Sequence, residues 1–185
     1  MNKSIENMSG WGRYGNYKTK VYRPKTIDEI KKKLNDSSVN TFICRGLGRS
    51  YGDSSINDRI IDLSKLIKKL KISTKKKEIE CTSNFSIKEL LPIILKEQFF
   101  LNVTPGTQYV TIGGAIASDI HGKNHHKDGS FCDYVSEIKM LLANGKIIKC
   151  SKTKNKKLFF STCGGMGLTG IILSAKIQLL KIPSN

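Results

Sequence analysis

The sequence predicts an α+β fold, in which helices and strands mix without the strict strand–helix–strand alternation of a parallel α/β protein. Three kinds of signal support this class. Short segments with strand periodicity recur along the chain, two capping boxes each open a helix, and an Asn-Gly pair marks a hairpin. The 185 residues are enough for one domain, or for two small lobes that share a site.

The first elements lie near the N-terminus. Residues 1–23 are expected to form an N-terminal arm that is rich in glycine. Thr26 and Glu29 stand at the N-cap and N3 positions of a capping box, which predicts a helix to about Leu34. The polar stretch Asn35–Ser38 is expected to end that helix.

Four short strands and a second helix follow. The strands are predicted at 41–44, 59–63, 70–72 and 78–82, and a lysine-rich turn separates the last two. Ser86 and Glu89 form a second capping box, which predicts a helix toward Phe99. Pro92 lies inside this helix and is expected to kink it or to delay its start.

The last third of the chain alternates strand, helix and strand. The Asn-Gly pair at 144–145 predicts a hairpin between strands, because this dipeptide favours the tight turn that joins antiparallel strands. The elements expected here are strands at 135–142 and 146–150, a short helix at 156–162 and a long final strand at 169–182.

A glycine-rich segment, Arg45–Asp53, follows the strand predicted at 41–44; we call it the first glycine segment. It contains two arginines and three glycines, Arg45, Gly46, Gly48, Arg49 and Gly52. Glycines let consecutive backbone N–H groups point at one anion, and guanidinium groups suit phosphate, so a diphosphate is the expected ligand. The spacing is not the Gly-x-Gly-x-x-Gly dinucleotide fingerprint, and a plain glycine-rich turn with surface arginines is the alternative.

The most informative stretch is Pro105–Ser130, the second glycine segment. It is too polar for a core element and too apolar for a free linker, which is typical of backbone shaped around a ligand. Thr111–Ala115 resembles a turn into a helix N-terminus, where free N–H groups would face a flat ligand or a diphosphate. A third glycine segment, Gly164–Gly170, precedes the last strand. Three such segments converging on one site would suit an extended dinucleotide.

The sequence gives little support to a metal site or to hydrolase or glycosidase chemistry. His121, His125 and His126 are spaced unlike the common zinc ligands, and nearby lysines disfavour a dication, so no metal is predicted. His121 is instead expected to contact ligand or substrate. The sequence contains no Gly-x-Ser-x-Gly hydrolase elbow, and paired glycosidase carboxylates are not evident.

Charge and cysteine content narrow the class further. The net charge of +17 attracts anions of any kind, but the lysine runs are not interleaved with aromatic residues, which weakens the nucleic-acid interpretation. The five cysteines are odd in number and have no Cys-x-x-Cys spacing, so reduced, mostly buried thiols are expected. No apolar run or leader indicates a membrane span or secretion, so a cytoplasmic location is expected, with peripheral attachment to the inner membrane as an alternative.

These motifs together resemble the FAD-linked oxidases of the vanillyl-alcohol oxidase superfamily. The matching stretches are 45–53, 105–107, 111–126 and 167–172, and the resemblance runs from about Trp11 to Ile182. Within the superfamily the chain is most similar to the branch of the oxidase subunit of decaprenylphosphoryl-β-D-ribose 2-epimerase. The Asp-Ile-His-Gly-Lys-Asn-His-His string at 119–126 is specific to that branch, and the sugar-lactone oxidases are more distant.

The resemblance implies a two-lobed FAD-binding domain of the PCMH type, with FAD extended between a first lobe at 24–100 and a second at 101–185. It implies oxidation of a sugar hydroxyl, on a decaprenylphosphoryl-ribose-like or sugar-lactone substrate, by hydride transfer to flavin N5. His121 and Lys123 would be the catalytic residues. The FAD-binding residues that it implies are Arg45, Gly46, Leu47, Gly48, Arg49, Ser50, Tyr51, Gly52, Asp53, Ser54, Gly106, Thr111, Ile112, Gly113, Gly114, Ser118, Asp119, Ile120, His121 and Ile172.

Two departures from the family pattern qualify these expectations. Many members attach FAD covalently through a histidine where this chain has Arg49, so FAD is expected to bind non-covalently. The family's chains continue into a substrate-binding domain, whereas this sequence stops at Asn185, as a truncated product, one half of a split enzyme or an excised domain would. A separate substrate-binding chain or domain is therefore an expected partner. An FAD-binding module without turnover is the alternative function, and a basic nucleic-acid-binding protein is a distant one.

Overall fold

The computed structural model describes residues 2–35 and 41–183 and confirms the α+β class. Within these ranges the strands are β1 Asn2–Met8, β2 Tyr17–Arg23, β3 Ile43–Arg45, β4 Arg59–Asp62, β5 Leu70–Ser73, β6 Glu78–Thr82, β7 Phe99–Leu101, β8 Val135–Leu141, β9 Ile147–Cys150 and β10 Ile171–Lys181. The α-helices are α1 Ile27–Leu34, α2 Ile87–Lys96, α3 Ile112–Ala117, α4 His125–Asp128 and α5 Lys156–Thr162. Short 3-10 turns occupy Leu63–Lys65 and Phe131–Tyr134.

The first sheet has the order β1-β2-β4-β3. The pair β1–β2 is antiparallel, whereas β2–β4 and β3–β4 are parallel. Residues 2–23, predicted to be an arm, therefore form a hairpin that is part of this sheet. The arm prediction missed β1 because its sequence is mostly polar and offers no apolar stripe; its Ile5 is exposed.

An ion-pair network fastens this hairpin to the sheet. Arg23 on β2 donates to Glu6 Oε2 on β1 at 2.9 Å and to Asp62 Oδ2 on β4 at 2.8 Å. Hydrogen bonds from Arg23 and Ser4 lower the pKa of Glu6 from 4.5 to about 2. The network thus links three neighbouring strands through one guanidinium.

We expect this network to make stability depend on pH in the acid range. A carboxyl group whose pKa is lowered by folding stabilises the folded state above its unfolded pKa, and this stabilisation is lost as pH falls from about 4.5 to about 2. Glu6→Gln should therefore lower the free energy of unfolding at pH 7 but not at pH 2. Urea denaturation at both pH values checks this, with Glu97→Gln, an exposed position after α2, as the charge-matched control.

The second sheet has the order β5-β6-β10-β8-β9, and β7 also pairs with β10. The long strand β10 is its hub, since it pairs antiparallel with β6, β7 and β8. The change from one sheet to the other falls between Asp62 and Leu70, so the predicted lobe boundary at 100/101 does not separate the sheets. The division into two lobes at 100/101 stays a prediction.

Two of the three apolar clusters join different parts of the fold. The larger one packs α2, α3 and α5 against the second sheet through fully buried side chains, among them Leu90, Ile94, Ile112, Ile116 and Phe159. The smaller one joins the sheets, because Ile30 and Ile61 from the first half contact Leu141, Ile171 and Leu173 from the second sheet. The two sheets therefore share buried contacts.

Local signals fixed most helix boundaries correctly. Ser86 and Glu89 form a reciprocal capping box, and Pro92 lies within α2 without delaying its start. Thr26 caps α1 as predicted, but Glu29 accepts its backbone hydrogen bond from Lys25 instead of Thr26. Asn35 is the C-cap of α1; the rest of the predicted stop, 36–38, lies outside the described residues.

Candidate functional site

The first and second glycine segments touch at Gly46 and Thr111. A Cβ atom on Gly46 would overlap the Thr111 Oγ1 atom and lie 3.3 Å from its Cγ2 atom. Thr111 is the N-cap of α3, where its Oγ1 accepts a hydrogen bond from the Gly114 N–H at 3.1 Å. Glycine at position 46 is therefore required for the first segment to lie against this helix start.

The third glycine segment meets the other end of α3. The Gly164 N–H donates to the Ile116 carbonyl at 3.0 Å, and the Met166 N–H donates to the Ala117 carbonyl at 2.8 Å. At position 167 a Cβ atom would lie 3.8 Å from the Ile43 Cδ1 atom on β3. The three segments thus converge around α3 at the edge of the first sheet.

The first segment offers a row of unpaired donors. Among the described residues, no backbone N–H from Leu47 to Gly52 donates a hydrogen bond to a protein acceptor. Gly48 and Gly52 have positive φ angles of 65° and 63°, the conformation in which successive N–H groups can turn toward one anion. The sequence predicted that such a row of N–H groups would bind an anion, and that role stays a prediction.

The two arginines of the segment make different contacts. Arg45 donates to the Ser55 carbonyl, to Ser55 Oγ and to the Ser9 carbonyl at 2.8 Å, so its guanidinium holds the loop to the end of β1. Burial lowers the pKa of Arg45. Arg49 instead stacks its guanidinium 4.7 Å from the Trp11 ring centroid and 5.9 Å from that of Tyr109. Of the two, Arg49 is the one whose guanidinium lies between rings at the surface.

The helix start of α3 differs from expectation. The N–H groups of Ile112 and Gly113 donate to the carbonyls of Phe85 at 2.8 Å and Ser83 at 2.9 Å, and that of Gly114 donates to Thr111. The prediction of free N–H groups at this helix end was wrong, because the chain before α2 already satisfies them. The glycine at 113 is explained by packing, since a Cβ atom there would lie 3.1 Å from the Ser83 Cβ atom.

Asp119 organises the remainder of the second segment. Its Oδ2 atom accepts from Ser130 Oγ and its Oδ1 atom accepts from the Cys132 N–H, both at 2.9 Å. It has a positive φ of 41°, and its neighbours are bonded back to α3, Ser118 to Gly114 and Ile120 to Ala115. The carboxylate therefore closes a loop that carries His121 and Lys123.

His121 and Lys123 are both exposed. The His121 ring lies 5.1 Å from the His125 ring, centroid to centroid, and His125 Nδ1 is 3.1 Å from the Gly122 carbonyl oxygen. Asn124 braces the loop by donating to the Asn102 carbonyl and to Asp128. Both predicted catalytic side chains thus lie on a supported loop at the surface, where a second molecule can reach them.

The remaining predicted residues fall into two groups. Tyr51, Asp53 and Gly106 are exposed or face open space, and Ser54 donates to the Tyr51 carbonyl at 3.3 Å. Ile172 is buried in the core of the second sheet, opposite Met140 on β8.

Motif reasoning missed the exposed side chains of Trp11 and Leu168, whereas the exposed Tyr51 was among the residues predicted to bind FAD. Trp11 is 52% exposed, and its backbone N–H donates to the Ser50 carbonyl at 3.1 Å, so the β1–β2 turn packs on the first segment. Tyr51 is 82% exposed and Leu168, in the third segment, is 80% exposed. The only sequence signal was the placement of Trp11 between two glycines, which says nothing about its neighbour.

A family model described as an FAD binding domain matches residues 19–151, most of the chain and both of the first two segments. The chain belongs to this FAD-binding domain family. FAD is therefore the cofactor of the domain. The residues fit that group, because the N–H row at 47–52 and Arg49 are donors suited to a diphosphate.

Three relatives are similar to this chain over most of its length. A decaprenylphosphoryl-β-D-ribose oxidase of Mycolicibacterium smegmatis is 36% identical over 95% of the chain and 40% of its own length. An L-gulonolactone oxidase of Bos taurus is 26% identical over 91% of the chain and 39% of its own length. Cytokinin dehydrogenase 2 of Arabidopsis thaliana is 27% identical over 88% of the chain and 34% of its own length.

The FAD-binding domain thus spans about two fifths of the length of the first two relatives. The domain occurs in FAD-dependent oxidoreductases. Within residues 2–35 and 41–183, no helix is both long and apolar enough to cross a membrane.

Proposed function

We propose that this domain binds FAD non-covalently within an oxidoreductase that oxidises a hydroxyl group of a polyprenyl-phosphoryl pentose. The observation that carries the cofactor part is the row of unpaired N–H groups at 47–52, on the face where the three glycine segments converge. The substrate class rests on the 36% identity to a decaprenylphosphoryl-β-D-ribose oxidase. Sugar lactones are the second substrate class, from the likeness to L-gulonolactone oxidase.

In this proposal each segment holds a different part of FAD. The N–H row and Arg49 bind the diphosphate, and Arg45 shapes the loop by fixing it to Ser9 and Ser55. Gly106, Thr111–Gly114 and Ser118–Ile120 border the flavin and ribityl portion through packing and shape, since the α3 N–H groups are already paired. Ile172 lies toward the adenine portion.

Bound FAD supplies a hydride acceptor for a carbon that carries a hydroxyl group. His121 and Lys123 lie on the exposed loop closed by Asp119, and in this proposal they bind the substrate and receive or hold the hydroxyl proton. The charge of Lys123 also favours an anionic substrate such as a phosphorylated sugar.

The second candidate is a domain that binds FAD but needs a partner chain or domain for turnover. The observation in its favour is that large apolar side chains in or beside the glycine segments are exposed, namely Trp11, Tyr51 and Leu168. Anaerobic addition of a polyprenyl-phosphoryl pentose separates the two. Loss of the oxidised flavin spectrum supports turnover by this chain, and bound flavin that stays oxidised supports the partner-dependent domain.

FAD binding itself has a built-in probe. Trp11 is the only tryptophan of the chain, and it stacks on Arg49. Titration with FAD is expected to quench its fluorescence, and Arg49→Ala should weaken binding about 10- to 150-fold, because one charge-assisted contact is worth roughly 1.5–3 kcal/mol. Lys157→Ala, which removes the same charge from the exposed face of α5, is the control and should bind like the parent. A protein without FAD affinity would refute the proposal.

A further inference from the structure

Two cysteines lie side by side next to the second and third glycine segments. Cys132 Sγ donates to the Ile116 carbonyl at 3.6 Å, and the same carbonyl accepts from the Gly164 N–H, directly after Cys163, at 3.0 Å. Both cysteines also line the same cavity. Their proximity thus follows from the shared Ile116 carbonyl and the shared cavity.

The pair is reachable from a small cavity. A cavity of about 180 Å³ is lined by Asp119, Ser130, Cys132, Asp133, Lys152, Phe159, Phe160 and Cys163. Cys132 is buried and Cys163 is half-buried, so Cys163 is the more accessible sulfur. A peroxide is small enough for a cavity of this size, whereas a protein or a bulky disulfide is not.

The two sulfurs differ in their tendency to ionise. The neighbouring Cys132 lowers the pKa of Cys163, with a further contribution from Lys152, against the opposing effects of burial and of Asp119 and Asp133. The neighbouring Cys163 and burial raise the pKa of Cys132. Cys163 is therefore the sulfur of the two that ionises more readily, and the thiolate is the form that reacts with oxidants.

The other three cysteines lack these features. Burial raises the pKa of Cys44 and Cys81 to about 12 and that of Cys150 to about 11, so they remain protonated thiols. None of them lines the cavity. The contrast makes Cys163 the reactive sulfur of the chain and Cys132 its adjacent partner.

We propose that Cys132 and Cys163 form a dithiol that hydrogen peroxide converts to an intramolecular disulfide. The Cys163 thiolate attacks the peroxide, an S–O bond forms, the O–O bond breaks, and the departing hydroxide takes a proton to become water. Cys132 then attacks Cys163, the S–S bond forms, and the S–O bond breaks with release of a second water. Two thiols lose two electrons and two protons, and one peroxide is reduced to two waters.

This disulfide would connect two parts of the site. Cys132 is held by Asp119 just after the second glycine segment, and Cys163 immediately precedes the third. Oxidation would therefore join both segments covalently beside α3. The inference needs only the thiols and a peroxide, so it stands whether or not the proposed oxidoreductase activity is correct.

Peptide mapping tests the proposal directly. The folded chain is treated with hydrogen peroxide, alkylated in denaturant and digested with trypsin without reduction. Cys132, Cys150 and Cys163 then fall in the separate peptides 128–139, 150–152 and 158–176. We expect a cross-linked species of 128–139 with 158–176, two hydrogens lighter than their sum, and a fall in free thiols from five to three per chain.

Three variants make the outcome decisive. Cys132→Ser should block the cross-link and leave a sulfenic acid at Cys163 that a dimedone probe traps, and Cys163→Ser should abolish both signals. Cys150→Ser, at a neighbouring cysteine, should form the cross-link like the parent. The proposal is overturned if 150–152 joins 158–176 instead, if only intermolecular disulfides form, or if peroxide leaves all five thiols free.

Discussion

Gly46→Ala is expected to lower FAD affinity about 5- to 150-fold, since the overlap of one added methyl group with packed atoms costs roughly 1–3 kcal/mol. The methyl group would overlap Thr111 Oγ1, the atom that caps α3, and would push the first glycine segment away from the second. The N–H row at 47–52 would move with it. FAD titration followed by Trp11 fluorescence measures the loss, and circular dichroism reports whether the fold persists.

Two further variants show whether this contact is responsible. Gly12→Ala adds the same methyl group where nothing lies within 4 Å, so it should bind FAD like the parent. Thr111→Ala removes the opposing hydroxyl and methyl groups, so its effect and that of Gly46→Ala should not add in the double variant. Additive effects, or normal FAD binding by Gly46→Ala, would contradict the packing argument.

Signals encoded within a few residues were predictable from the sequence. The box at Ser86 and Glu89 begins α2, and the Asn-Gly turn at 144–145 separates β8 from β9, because in each case the residues that interact are near neighbours in the chain. The strand at 78–82 and the helix at 156–162 also have the bounds that their patterns predicted.

Features that depend on distant partners were not predictable. The polar strand β1 is defined by pairing with β2 and by the Arg23 network, and β7 by pairing with β10 across about 80 positions of sequence. The same reason explains the error at α3. Its N–H groups looked free because their acceptors, the carbonyls of Ser83 and Phe85, lie almost 30 residues away in the sequence.

The same distinction between local signals and distant contacts applies to the candidate site. The first glycine segment could be predicted because its chemistry resides in its own backbone and glycines. The two arginines could not be told apart, because one is committed by Ser9 and Ser55 and the other lies between Trp11 and Tyr109. Residue types predicted the ligand class, and long-range contacts decide which residues remain available to bind it.

The second large effect is expected at Asp119. Asp119→Ala removes both acceptors of the loop that carries His121 and Lys123, and leaves the Cys132 N–H without a partner. The cost should be roughly 2–4 kcal/mol in unfolding free energy, because bonds to a charged acceptor are worth more than neutral ones. The positive φ of 41° adds to it, since alanine adopts that conformation less readily than aspartate. Urea denaturation measures the loss.

Asp119→Asn distinguishes hydrogen bonding from charge at this position. The amide oxygen can still accept from the Cys132 N–H, the amide nitrogen can donate to Ser130 Oγ, and asparagine tolerates positive φ. The Asn variant should therefore retain most of the stability that the Ala variant loses. If both variants were equally destabilised, the negative charge would be what the loop requires; if neither were, the loop would be held by the helix bonds of Ser118 and Ile120 alone.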